Sequence, residues 1–200
     1  PGAGPMKVGP SIVDYMTGMN TSIGILVALY HRDVKGGGGQ HIDVCLFDTV
    51  IASLSHYAQI YLVNGKSPPR RGTWGNGGMP AGVFRCSDGE LMLVVGNDAQ
   101  FARTCAVLGA PELATNPKFV KNNDRVVNGK EIMAIFAGLF LKNTVQHWLD
   151  ELEKAGVPCG PVNDFAHVFA DPHVRSRGME VKVNHPFEPQ LSLIRNALTF

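Results

Sequence analysis

Residues 13–46 read VDYMTGMNTSIGILVALYHRDVKGGGGQHIDVCL, and a change of period along them decides the fold class. From Ile12 the apolar residues Met16, Met19, Ile23, Leu26, Val27 and Tyr30 recur near the spacing of one helical face. Gly18, Ser22, Gly24 and Ala28 lie between them, which suits close packing on both sides. Ser11 offers an N-cap oxygen, so the spacing predicts a helix from there to about Arg32. The glycine run inside Lys35 to Gln40 ends that helix and turns the chain. From His41 to Leu46 the period drops to every second residue, with Ile42, Val44 and Leu46 on one side, which predicts a strand. A second helix is expected from Phe47 to Val63. Helix, strand and helix in this order read as the closing part of an α/β sheet domain.

Beyond it, residues 64–80 (NGKSPPRRGTWGNGGMP) lose all periodicity and read as a linker, which sets a domain boundary. Val83 to Cys86 and Glu90 to Val95 flank Ser87-Asp88-Gly89, a hairpin signal. Asn97 and Gln100 resemble a capping box opening a helix to about Leu108. A long helix is predicted over 125–141 and another over 145–155. A short strand over 157–162, a helical turn over 164–170 and a strand over 179–183 complete a small α+β domain.

Composition excludes several classes. Lys plus Arg total 18 against 17 Asp plus Glu, a net charge of +1, so neither a nucleic-acid partner nor a membrane surface is expected. A hydrophobic share of 44% with 18% charged residues excludes a disordered chain. No signal peptide is visible, and no apolar run reaches about 18 residues, so no transmembrane helix is expected. Cys45, Cys86, Cys105 and Cys159 form no CxxC pair, which signals neither zinc nor a disulfide framework. The seven His form no HxH or HExxH pair, so no metal is expected. The thiols fit a reducing setting, with the cytoplasm as the expected compartment and mitochondria left open. The chain opens at Pro1 and ends at Phe200 in mid-pattern, so a piece of a longer polypeptide is expected.

Two features stand out as chemistry. Asp14 lies one turn into its helix, where the macrodipole stabilises a carboxylate, so a helix-start acid and a functional carboxylate both fit. Gly75, Gly77, Gly78 and Gly82 can present bare N–H groups to an anionic oxygen, although a flexible connector has the same composition. The segment is neither GxGxxG after a strand nor a P-loop. Read as an exposed connector with little core to disturb, it predicts that Gly78→Ala costs little stability, less than any activity it would lose if the loop covers a reacting group. Lys66, Arg70 and Arg71 form a small basic patch, suited to solvent or to a phosphate.

The stretch from Val13 to Leu46 resembles the family III CoA-transferases, the group that includes the formyl-CoA and carnitine-type enzymes. The resemblance runs through D-x-x-T-G-M, G-x-L-x-A-L-x-x-R and G-x-G-Q-x-I-D-V. It continues through GNGGMPAGVFRCSDG (75–89), AGVPCGPVND (155–164) and DPHVRSRGM (171–179). It implies residues 1–63 as the C-terminal part of a Rossmann-like large domain and 64–80 as a linker with the glycine loop. Residues 81–185 would be the small α+β domain and 186–200 a segment returning to the large one. Two chains would thread into an interlocked homodimer. Asp14 takes the position of the catalytic aspartate, and Gly77, Gly78 and Met79 that of a mobile glycine loop covering it. Leu46 falls at a CoA-contacting position. The implied activity moves coenzyme A between carboxylic acids through aspartyl mixed-anhydride and aspartyl-CoA thioester intermediates. A 2-methylacyl-CoA racemase shares the fold and pairs an aspartate with a histidine. Tyr15-Met16-Thr17-Gly18-Met19 after Asp14 looks more like a transferase than the glycine cluster of a racemase. An inactive interaction fragment is the alternative from another class.

Overall fold

The apolar period that begins at Ile12 produces α1 (Ile12–Val34), two residues longer than expected. Ser11 occupies the N-cap, but its side chain makes no capping bond. The computed structural model describes residues 4–75 and 77–199. Gly36, at φ +69°, follows the helix end, where the Gly37 N–H donates to the His31 carbonyl at 3.0 Å. The predicted strand over 41–46 does not form. Cys45 is extended (φ −119°, ψ 156°), but no described residue pairs with this stretch, and a strand exists only through its ladder. Leu46 instead begins α2 (Leu46–Ser53), which packs on α1. The single helix expected over 47–63 is also broken: Ser55 takes φ +48°, and α3 (Ser55–Asn64) follows.

None of α1 is buried among the described residues, and Tyr15, Met19, Ile23, Leu26, Val27 and Tyr30 stand exposed. By length and composition α1 could cross a membrane. This corrects the expectation that no run is that long, because small Gly, Ala, Ser and Thr residues extend the apolar stretch without interrupting it. A helix apolar on most sides equally suits the interior of a protein. Its hydroxyls are satisfied locally: Thr17 and Thr21 donate to the Val13 and Thr17 carbonyls at 2.7 and 2.8 Å.

The chain divides into two compact units between Gly72 and Thr73, inside the 64–80 stretch. The second unit is mixed α/β. β1 (Ala81–Arg85) and β2 (Glu90–Val94) form the predicted hairpin, closed where the Cys86 N–H donates to the Gly89 carbonyl at 2.8 Å. β3 (Cys159–Pro161) pairs antiparallel with the other edge of β2. α4 (Asp98–Val107) starts at the predicted cap: the Asn97 Oδ1 accepts from the Gln100 N–H at 2.9 Å, and the Gln100 side chain returns to the Gly96 N–H at 2.7 Å. The long helix expected over 125–141 is two helices, α5 (Asn122–Val127) and α6 (Gly129–Phe140). They part at Asn128, whose side-chain amide donates to the Lys118 and Asp124 carbonyls at 3.2 and 2.9 Å. α7 (Val145–Lys154) is capped by Thr144, and Asp88 of the hairpin turn accepts from its first N–H at 2.8 Å.

α6 packs on β1, and α7 on β2 and β3, so the core lies between helices and sheet. Phe84, Phe101, Phe136 and Phe140 fill it, with Phe84 and Phe140 stacked at 4.8 Å and Phe101 and Phe136 at 6.0 Å. Trp148 closes one end and donates its indole N–H to the Phe140 carbonyl at 2.8 Å. After α8 (Phe165–Ala170) and α9 (Pro172–Ser176), β4 (Glu180–His185) and β5 (Glu188–Ile194) form a separate hairpin across the expected 185/186 division.

Phe136 is fully buried among three other phenyl rings. Its truncation removes both transfer energy and packing, so Phe136→Ala is expected to cost about 3–5 kcal/mol. Denaturant unfolding monitored by Trp fluorescence checks this.

Candidate active site

Asp14 lies in the first turn of α1, one of the positions where unspent backbone N–H groups and the helix dipole favour a carboxylate. It is exposed and takes part in no ion pair among the described residues. The carboxylate is thus open to solvent. Leu46 is exposed at the first residue of α2, beside Cys45, whose sulfur accepts from the Asp48 N–H at 3.4 Å.

In the second unit the glycine segment is more firmly held than a connector. The Gly75 N–H donates to the Ala81 carbonyl at 3.0 Å, and the Val95 N–H to the Pro80 carbonyl at 3.1 Å. Asn122 bonds it twice, accepting from the Met79 N–H at 3.0 Å and donating to the Gly77 carbonyl at 3.3 Å. Arg125 donates from Nε to the Met79 carbonyl at 2.6 Å. The Met79 side chain belongs to the core and reaches toward Gly129, where a Cβ would stand 2.9 Å from its Cε. The N–H of Gly78 takes no partner among the described residues. The segment therefore combines a held backbone with an unspent donor, an arrangement that suits an anionic oxygen.

Arg125 sustains this arrangement. Its guanidinium is fully buried, 4.3 Å from the centre of the Phe101 ring. A charge in that position needs partners for its donors. Besides Met79 it donates to the Phe119 and Val120 carbonyls at 2.7 and 3.3 Å and to Asp98 at 2.9 Å. The Arg125 hydrogen bond holds the Asp98 carboxyl below the ordinary carboxylate range, with Lys121 and the Asn122 N–H adding to it.

Burial pushes the Cys86 thiol up to about 11 and Cys105 to about 12, so neither is a thiolate nucleophile at neutral pH. No group of three or more His, Cys, Asp or Glu side chains that could hold a metal occurs among the described residues. Asp171 caps α9, accepting from the His173 and Val174 N–H groups at 2.7 and 3.2 Å. Asn122 and Arg125 are the site residues that sequence reasoning missed. Their partners lie far off in sequence, 45 residues for Asn122 with Gly77 and 46 for Arg125 with Met79, so no local pattern marks them.

The sequence profile of CoA-transferase family III matches residues 1–200. Over 183 residues the chain is 39% identical to the acetyl-CoA:oxalate CoA-transferase of Acetobacter aceti, covering 91% of this chain and 47% of that protein. It is 35% identical over 189 residues to the human succinyl-CoA:glutarate CoA-transferase, covering 94% and 43% respectively. The crystal structure of a CAIB/BAIF family protein from Brucella suis superposes with a TM-score of 0.80 at 36% identity, over all of this chain and 51% of the other. The chain spans about half the length of the curated relatives it matches.

The glycine segment also corrects the expectation for Gly78. A Cβ there would overlap the Val95 carbonyl oxygen and stand 2.9 Å from Val95 C and 3.0 Å from Gly96 Cα, all backbone atoms unable to move aside cheaply. A Cβ at Gly77 meets nothing within 4 Å. Gly78→Ala is expected to lose about 1–3 kcal/mol of stability by overpacking. Gly77→Ala should stay within about 0.5 kcal/mol of wild type. Paired thermal or urea unfolding of the two variants tests the contrast.

Proposed function

Since the chain belongs to CoA-transferase family III, we propose that the full-length protein moves CoA between two carboxylic acids, with Asp14 as its nucleophile. The family match over residues 1–200 supports the activity, and the resemblance of the D-x-x-T-G-M helix start supports Asp14 as the nucleophile. The names of the relatives, with oxalate and glutarate in them, favour small dicarboxylic acids as substrates. The cytoplasm is the proposed setting.

In the proposed cycle a carboxylate oxygen of Asp14 adds to the thioester carbonyl of an acyl-CoA. The C–S bond breaks, leaving a mixed anhydride and CoA thiolate. The thiolate adds to the Asp14 carbonyl of that anhydride, releasing the first acid as its carboxylate and forming an aspartyl-CoA thioester. The second carboxylate then attacks this thioester, giving a new anhydride and thiolate again. Attack of the thiolate on the new acyl carbonyl yields the new acyl-CoA and restores Asp14. Each attack conserves an activated acyl group, so the energy of the thioester passes from acid to acid. Each also places negative charge on a tetrahedral oxygen, which backbone donors near Asp14 would stabilise. Both acyl-aspartate species are open to hydrolysis, and by family resemblance the 77–79 glycine segment would shield them from water. The hydrogen bonds that hold this segment favour a fixed loop over the mobile one expected from glycine content.

The racemase alternative is not favoured, as the relatives compared above carry transferase names. An inactive interaction fragment would leave the exposed carboxylate and the unspent Gly78 donor without a use.

Asp14→Ala in the full-length protein is expected to lower transfer by roughly a thousandfold or more, with circular dichroism unchanged. Intact-protein mass spectrometry of wild type quenched during turnover should show a CoA adduct on Asp14. Transfer by Asp14→Ala near the wild-type rate would refute the assignment.

An interlocked homodimer is also proposed for the full-length protein. The exposed apolar residues of α1 support extensive cover by further protein. Sedimentation at nanomolar concentration is expected to show a dimer that does not dissociate, and a stable monomer would contradict it.

A further inference from the structure

We propose that the groove between α7 and β3 receives residues 66–71 of a second copy of this chain. This rests on the homodimer proposed above and names two surfaces that meet in it.

The groove measures about 510 Å³ and lies wholly within the second unit. Its β3 side comes from AGVPCGPVND (155–164), a motif for which the proposed chemistry has no use. Leu149, Pro158, Cys159 and Pro161 give it an apolar lining, while Asp150 and Glu153 line it from α7 and stand exposed. Asp150 accepts from the Gln146 side-chain amide at 2.7 Å. Neither acid takes part in an ion pair among the described residues. The neighbouring Glu151 is paired with Lys154 at 2.7 Å, and Arg103 donates to the Gly156 carbonyl at 3.3 Å instead.

The groove also opens on unspent backbone. β3 is the outer strand of its sheet. The Val94 N–H donates to the Pro158 carbonyl and the Val162 N–H to the Glu90 carbonyl, both at 3.0 Å. Residues of an antiparallel strand bond to alternate sides, so Cys159 turns its N–H and C=O away from β2. Pro161, which faces the same way, offers a carbonyl and no N–H. The edge can therefore pair over a residue or two, which suits a short extended segment rather than a long strand.

Lys66-Ser67-Pro68-Pro69-Arg70-Arg71 has the matching chemistry. It belongs to no helix or strand, Lys66 and Arg70 are exposed, and none of its cations joins an ion pair among the described residues. Pro68 and Pro69 favour an extended backbone without internal hydrogen bonds, which leaves its carbonyls open to an outside donor. Opposite charges on two surfaces select the partner and set its register.

The chain's own entry to the second unit favours a second copy as the source. The Val83 N–H donates to Thr73 Oγ1 at 3.3 Å and the Gly75 N–H to the Ala81 carbonyl at 3.0 Å, so the chain enters along β1. β1 and β3 are the opposite edges of the three-stranded sheet, two strand spacings or about 10 Å apart. The three residues from Arg70 to Thr73 span at most about 10 Å when extended, a length spent in reaching β3 alone. A segment from another copy has no such tether.

The test uses the full-length protein and a water-soluble carbodiimide, which joins an amine to a carboxylate where the two touch. Two chains are expressed together with different affinity tags, one carrying Asp150→Asn and Glu153→Gln, the other Lys66→Arg. The first keeps the amine without the acids and the second the acids without the amine, so this amide can form only between copies. The expected product of the doubly tagged dimer is a covalent pair on a denaturing gel, with Lys66 joined to Asp150 or Glu153 by peptide mass spectrometry. Arg70→Glu added to the first chain is expected to lower its yield roughly fivefold, with circular dichroism unchanged. An unchanged yield overturns the proposal. A link that forms in wild type but is lost from the mixed pair means that each chain fills its own groove, and overturns it as well. No link in a protein that sediments as a dimer overturns the groove assignment and leaves the dimer standing. A monomer without the link overturns both.

Discussion

The guanidinium of Arg125, fully buried on the face of Phe101, is the constraint from which the second unit is organised. A permanent charge in the interior is tolerated only when its donors are met, and removal of a partner leaves an uncompensated ion. Arg125 meets its donors with carbonyls from Met79, Phe119 and Val120 and with the Asp98 carboxylate. One side chain thus fixes the end of the glycine segment, the turn before α5 and the start of α4 relative to one another. The aromatic core and the candidate donor of Gly78 share this support.

The first unit obeys a different constraint. Its α1 places Asp14 in the first turn of a helix. Yet Thr49 is the one residue of α1, α2 and α3 that is buried among those described. Helices that bury so little apolar surface gain little from tertiary packing, which is the usual main source of helical stability. The candidate carboxylate and the glycine segment therefore belong to units of very unequal self-sufficiency.

Local signals in the sequence were strong where short-range chemistry decides structure. The Ser87-Asp88-Gly89 turn, the Asn97 cap and the Asp164 cap all form from residues within a few positions of one another. Reading failed where the outcome depends on distant partners. Residues 41–46 have the alternation of a strand but no ladder to join. Continuous apolar period across 125–141 concealed the break at Asn128, whose side chain competes for the Lys118 and Asp124 carbonyls. Glycine content alone suggested mobility for 77–79, whereas Met79 is a core residue and Gly78 lies against the Val95 backbone. Asp14 became a candidate through family resemblance rather than through its position, which a plain helix-start acid shares.

The hold on the glycine segment is exerted through main-chain atoms: the Gly77 and Met79 carbonyls and the Met79 N–H. Main-chain atoms are common to every amino acid, so this support is blind to which side chain position 77 carries. A side chain there would stand in open space, while the scaffold beneath stays intact. Position 78 has no such latitude, because the Val95 backbone occupies the place of any side chain. Adjacent glycines that look equivalent in the sequence thus face opposite steric limits, one with open space for a side chain and the other with none.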